Sequence, residues 1–294
     1  MVSDSRMPSD TPRVPFDLER TIFEMSGFSS PRQIPNLMLV AHRVKAWVEP
    51  LLYRVVFLSD GEAKMDCIPT FTYSIFLRLL AAKPADFFQK AVSHLFLGYT
   101  DSPKTYYEDA RLILQTCTNV TDFFDFLGTP LDQVQSLKCV RRIALKCEYT
   151  FSVPSSTNFS HPLCRTITHL ELLGYKVSDS DLAGIRHIPL LSHVSFNALE
   201  MCAYLFASVF PACPRLGCIV LLQSAAKMDS TLEPFLDDKR FVVVHQSNFT
   251  LDWQRGAAGG VSYWDVADAF VRARHAGRIG AITSSISDED VSWF

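Results

Sequence analysis

The sequence holds 294 residues, 48% hydrophobic and 20% charged, with a formal net charge of −3. So large a hydrophobic share is not that of a mainly disordered chain, which lacks the apolar side chains that offset ordering entropy. The balance of 28 Lys+Arg against 31 Asp+Glu argues against a dedicated nucleic-acid binder, which carries a basic excess.

Residues 1–13 are rich in Ser, Asp and Pro. They read as a disordered leader without the apolar core of a signal peptide. No run approaches the ~18–20 apolar residues that a membrane span requires, so the expected location is cytoplasmic or nuclear. Residues 14–58 read as a helical module. Leu18, Ile22 and Met25 share one helix face, Pro15 suits a first turn, and Ser29-Ser30-Pro31 breaks the chain. A second helix is expected from Ile34 to Trp47, with Leu37, Val40, Ala41 and Val44 as its apolar stripe, ending at Pro50. Residues 59–91 read as connecting helices, at about Phe71 to Ala82 and Ala85 to Ala91.

From Val92 an internal repeat of the form apolar-x-x-apolar-x-apolar begins. Its copies start at Val92, Val140, Ile167, Leu191 and Leu216, with weaker ones at Val120 and Phe241. The steps of 28, 20, 27, 24, 25 and 25 residues fit leucine-rich-repeat spacing. Each copy predicts a short strand feeding alternate side chains into a stacked core, followed by a return segment. Helices are expected at Tyr106 to Thr116, Asp181 to His187 and Leu199 to Phe210. Over residues 92–260 this predicts an α/β fold, an irregular leucine-rich-repeat-like solenoid with a parallel sheet. Residues 261–294 read as a cap helix, Ser262 to Ala276, shielding the last repeat's edge, and a loose polar tail. Eight scattered cysteines with no C-x-x-C pair read as reduced, buried small hydrophobes, and no metal site or cofactor is expected.

The N-terminal helices carry a resemblance. Val14-Pro15-Phe16-Asp17-Leu18-Glu19-Arg20-Thr21-Ile22-Phe23 resembles the opening of an F-box. Leu37 to Trp47 resembles its second helix and closing Trp, and Glu49-Pro50-Leu51-Leu52-Tyr53-Arg54 its usual end. The whole chain resembles the F-box-like proteins of mushroom-forming fungi. The resemblance implies a substrate receptor of a Skp1-cullin-RING ubiquitin ligase that binds a Skp1-like adaptor through Pro15, Leu18, Ile22, Leu37, Val40 and Trp47. The competing reading is that these side chains merely pack, leaving a stand-alone repeat scaffold whose helices cap the solenoid.

In such a sheet the third and fifth positions of each copy face outward. This places His94, Phe96, Asp122, Phe124, Arg142, His169, Glu171 and His193 on a mixed polar and aromatic strip suited to holding a protein target. The row continues through Ala144 and Ser195 to Cys218 and Val220, then Val243 and His245, where it becomes apolar, which suggests cover by the C-terminal segment or by a partner. No nucleophile elbow, P-loop or dinucleotide fingerprint is present, so the expected role is non-catalytic, in a chain that is monomeric outside its complex.

Overall fold

A computed structural model describes residues 14–61, 68–84, 86–101, 105–146, 162–174, 183–198, 202–223, 230–280, 285–292 and 294. The expected leader, residues 1–13, lies outside them. The chain divides into two compact units, Met1–Tyr53 and Arg54–Phe294.

The first unit contains α1 (Phe16–Ser29), α2 (Ile34–Leu37) and α3 (His42–Val48), closed by a 3-10 turn at Glu49–Tyr53. Pro15 stands at the N-cap of α1, where a missing N–H costs nothing. Gly27 is the buried residue of α1, and a Cβ there would lie 2.9 Å from Leu51 Cδ1. The continuous helix expected over 34–47 is two helices instead, parted by a turn and an extended Ala41 (φ −162°, ψ 158°). That break lets Ile34, Val44 and Val48 enter one small core, with Phe23, Leu37 and Trp47 packed against it. It also leaves Val40 outside.

The second unit is built on a ten-stranded parallel sheet. Its strands are β1 (Val55–Leu58), β2 (Thr70–Phe71), β3 (His94–Leu97), β4 (Asp122–Asp125) and β5 (Arg142–Lys146). They continue as β6 (His169–Leu173), β7 (His193–Phe196), β8 (Cys218–Gln223), β9 (Phe241–His245) and β10 (Ser285–Ser287). Strand order follows the chain from β3 to β10, with β1 beside β3 and β2 outermost. The described α-helices between strands are α4 (Tyr73–Ala82), α5 (Phe87–Ala91), α6 (Tyr106–Thr116), α7 (Leu131–Val134) and α8 (Cys202–Tyr204), the last running on as a π-helix over Leu205–Val209 and a 3-10 turn over Phe210–Ala212. After β9 come α9 (Phe249–Ala257) and α10 (Tyr263–His275). Among the described residues, no helix is long and apolar enough to cross a membrane.

The repeat is real in space from β3 to β8. His94, Asp122, Arg142, His169, His193 and Cys218 pair across successive strands as one row. Phe96, Phe124, Ala144, Glu171, Ser195 and Val220 form the next row on the same face, here called the His94 face. The opposite face carries the apolar row from Leu95 through Phe123, Ile143, Leu170 and Val194 to Ile219, all buried. Asp125 interrupts this side as a buried carboxyl. It accepts hydrogen bonds from the Leu127, Gly128 and Thr129 N–H groups and from the Tyr106 hydroxyl, so it pins the loop that follows its strand.

Several expectations are corrected. Phe241 pairs with Ile219, the fourth position of the preceding copy rather than its first. The shift is odd, and with a side-chain period of two it exchanges faces. Val242 and Val244 therefore lie on the His94 face, not Val243 and His245. Phe241 to Val244 is apolar at every position, so periodicity could not set the register. Residues 55–58, read as the end of the helical module, are β1, buried at all four positions; a continuous apolar run is the mark of a strand covered on both faces. The tail read as loose contributes β10, which pairs with β9 and buries Ile286. Of the described cysteines, Cys117, Cys164, Cys202, Cys213 and Cys218 are buried and Cys139 is exposed.

Candidate functional site

The largest departure lies on the His94 face. The C-terminal helix does not shield the sheet's last edge, which β10 occupies. Instead α9 and α10 lie on the His94 face itself. Their local sequences explain why they form. The Asn248 side chain caps α9 by accepting from Leu251 N–H, and Phe249, Trp253 and Ala257 follow at four-residue spacing, on one side of the helix. Ser262 and Asp265 form a capping box at the start of α10. Gly277, at φ +69°, ends it, with Gly277 N–H donating to Arg274 O and Arg278 N–H to Ala273 O, the paired bonds of a Schellman cap.

The two helices meet different chemistry. At the apolar end, Val266, Ala267, Phe270 and Val271 pack with Val220, Val242 and Val244. At the other end, Phe57, Phe96 and Phe124 stack at centroid distances of 4.5 and 4.6 Å, and Trp253 lies 5.2 Å from Phe96. Between these apolar seats runs a polar seam. The Tyr263 hydroxyl donates to Glu171 Oε2 at 2.8 Å and lies 2.8 Å from Ser195 Oγ. His193 Nε2 lies 2.9 Å from Asp268 Oδ1, and His169 stacks on His193 at 3.9 Å with Trp264 edge-on at 5.1 Å. Trp253 Nε1–H donates to Asp122 Oδ1.

A cavity of about 30 Å³ remains within this seam. Asp122, Arg142, His169, Gln246, Phe249 and Trp253 form its half-buried rim. Phe124, Ala144, Glu171, Asp252, Tyr263 and Trp264 are its buried floor. Burial, with the nearby Asp252 and Asp122 charges, pushes the Glu171 carboxyl up to about 8 against the Tyr263 hydrogen bond. Burial likewise lifts Asp252 to about 7, although Arg255 pairs with it. His169 is driven down to about 3 by burial, then by the charges of His193 and Arg142. The Asp268 carboxyl, although burial acts upward on it, is held below its ordinary range by the His193 hydrogen bond and charge. Near neutrality, Glu171 and His169 are both uncharged.

The sequence-derived strip is therefore brought together but is not an open surface. Asp122, Phe124, Arg142, His169 and Glu171 line the cavity. His94 stands beside it, 3.5 Å from Asp122 Oδ2 and 3.3 Å from Arg54 Nη1. His193 is held by Asp268, and Phe96 belongs to the aromatic core. Missed altogether were Asp252, Trp253, Tyr263 and Asp268. The helix α9 was itself not expected; the Asn248 cap and the Phe249/Trp253/Ala257 spacing are the local signals for it, but they do not show which face it would cover.

In the first unit, Leu18, Ile22 and Val40 are 56%, 57% and 60% exposed, and Pro15 is also exposed. Leu37 and Trp47 instead pack on the unit's core. Phe16, Met25, Phe28 and Leu39 are further large apolar side chains left in solvent. No known family model matches the chain, and no curated protein matches it.

Proposed function

We propose that the chain is a non-catalytic protein–protein adaptor, an F-box-type substrate receptor of a Skp1-cullin-RING ubiquitin ligase. The observation that carries the reading is the exposed apolar set on the helical unit that ends at Tyr53, with Phe16, Leu18, Ile22 and Met25 all on α1. Apolar side chains left in water in such number mark a surface meant for a partner. A stacked parallel sheet is a scaffold suited to presenting a target. In this reading target contact falls to the half-buried rim, Asp122, Arg142 and His169 with His94 and His193 beside them, while Phe96, Phe124 and Glu171 act from beneath.

A second reading, a stand-alone repeat scaffold, is favoured by Leu37 and Trp47, two of the six resemblance-derived positions, which pack inside the helical unit. A pull-down of purified Skp1 by the full chain separates the two. Retention of Skp1 is the expected result, and a stable, folded chain that fails to retain it favours the scaffold.

A further inference from the structure

The cavity under α9 and α10 is lined by three carboxyl groups, Asp122, Glu171 and Asp252. Glu171 is 6% exposed, and its Oε2 is taken by the Tyr263 hydroxyl. No second hydrogen bond to this carboxyl is present among the described residues, and Glu171 lines the cavity. Asp252 and Asp122 stand close enough to push this carboxyl further up. Asp252 is neutralised by Arg255, whereas Asp122 has an indole N–H and an imidazole as its neighbours. Arg142, the cation of the rim, stands in register between Asp122 and His169. The walls are aromatic: Phe124, Trp253, Tyr263 and Trp264.

We propose that this cavity takes a primary ammonium group, from a lysine side chain or from the free N-terminus of a peptide. An ammonium is close to a water molecule in size, and about 30 Å³ holds roughly two such spheres. It brings three donors for the Glu171 carboxyl and neighbouring acceptors, and its charge is attracted by aromatic faces. A guanidinium is too broad and flat for the same space. Near neutrality Glu171 enters the complex protonated. Ion pairing with the ammonium ionises it, and the proton leaves to solvent, so binding releases a proton. The groups facing Glu171 in this exchange are Tyr263, Asp252 and Asp122, with Arg142 and His169 at the rim. The inference does not depend on the adaptor reading, because it concerns the second unit alone.

The test is calorimetric titration of the full chain in two buffers of different ionisation enthalpy. The probes are acetyl-Gly-Lys-Gly-amide, its Nε-acetylated form, its arginine counterpart and Gly-Gly-Gly-amide with a free N-terminus. Expected is binding of the lysine peptide, the free-terminus peptide or both, with release of up to one proton, and none of the acetylated form. Which of the two binds identifies the source of the ammonium. Glu171→Gln, checked for folding by circular dichroism, is expected to weaken binding by about tenfold or more and to abolish proton release. Asp122→Asn, at the half-exposed rim, is expected to weaken it several-fold and covers the case in which the first variant misfolds. No binding of either amine (a cavity holding solvent only), equal binding of the acetylated form, tighter binding of the arginine peptide, or unchanged binding by the variants overturns the proposal.

Discussion

At the scale of single residues, the buried ionisable groups set how the second unit responds to pH. Glu171 ionises at about 8 in the folded chain against 4.5 ordinarily, and Asp252 at about 7 against 3.8. The folded state thus keeps protons that the unfolded state has lost, and stability falls as pH rises through those windows. His169 acts in the opposite sense. Held neutral down to about 3 from 6.5, it costs stability as pH falls below its ordinary range. Two carboxyls outweigh one imidazole where the windows overlap, so the expected result is a melting temperature that declines from about pH 5 to about pH 8. Glu171→Gln removes one titrating proton and flattens that slope by about 1.4 kcal/mol per pH unit. Denaturant titrations across this range check it; an unchanged slope would place the titration elsewhere.

At the scale of elements, α10 is held by apolar packing at one end and by its caps at both. Phe270 is fully buried against the β8–β9 end of the sheet. Phe270→Ala leaves a cavity there and is expected to cost about 3–5 kcal/mol. Gly277→Ala probes the cap alone. A Cβ at Gly277 meets nothing within 4 Å, while its φ of +69° lies in the left-handed region. The cost is therefore backbone strain, about 1 kcal/mol. Equilibrium unfolding of both variants should rank them in that order; equal losses would mean that helix termination, not packing, governs the docking of α10.

At the scale of the whole molecule, the two units differ in what they leave in water: the first gathers exposed apolar side chains along one helix, α1, whereas the second scatters its exposed apolar side chains over several elements. Leu18→Asp/Ile22→Asp alters positions more than half exposed, so unfolding of the second unit should shift by no more than about 0.5 kcal/mol, while the proposed adaptor role requires that Skp1 retention be lost. A variant that still retains Skp1 would move the docking surface off α1. The second unit has the opposite design. A parallel sheet is stable when both faces are covered, and the later strands, apolar at nearly every position, announced that requirement. A polar strip on the earlier strands suggested an open face instead. The polarity is real, but Tyr263, Trp253 and Asp268 satisfy most of it from the covering helices.

The sequence by itself determined the repeat, the strand positions from β3 to β8 and which residues share a face, because side-chain alternation is a local property of extended backbone. It also determined α6 and α10 to within a residue, through periodicity and capping. The register of β9, the break at Ala41 and the placing of α9 and α10 over Glu171 and His169 were decided by tertiary structure. In each case several local arrangements bury equivalent apolar surface. The choice among them rests on partners distant in the chain, as with the Tyr263 hydroxyl meeting Glu171 across 92 residues.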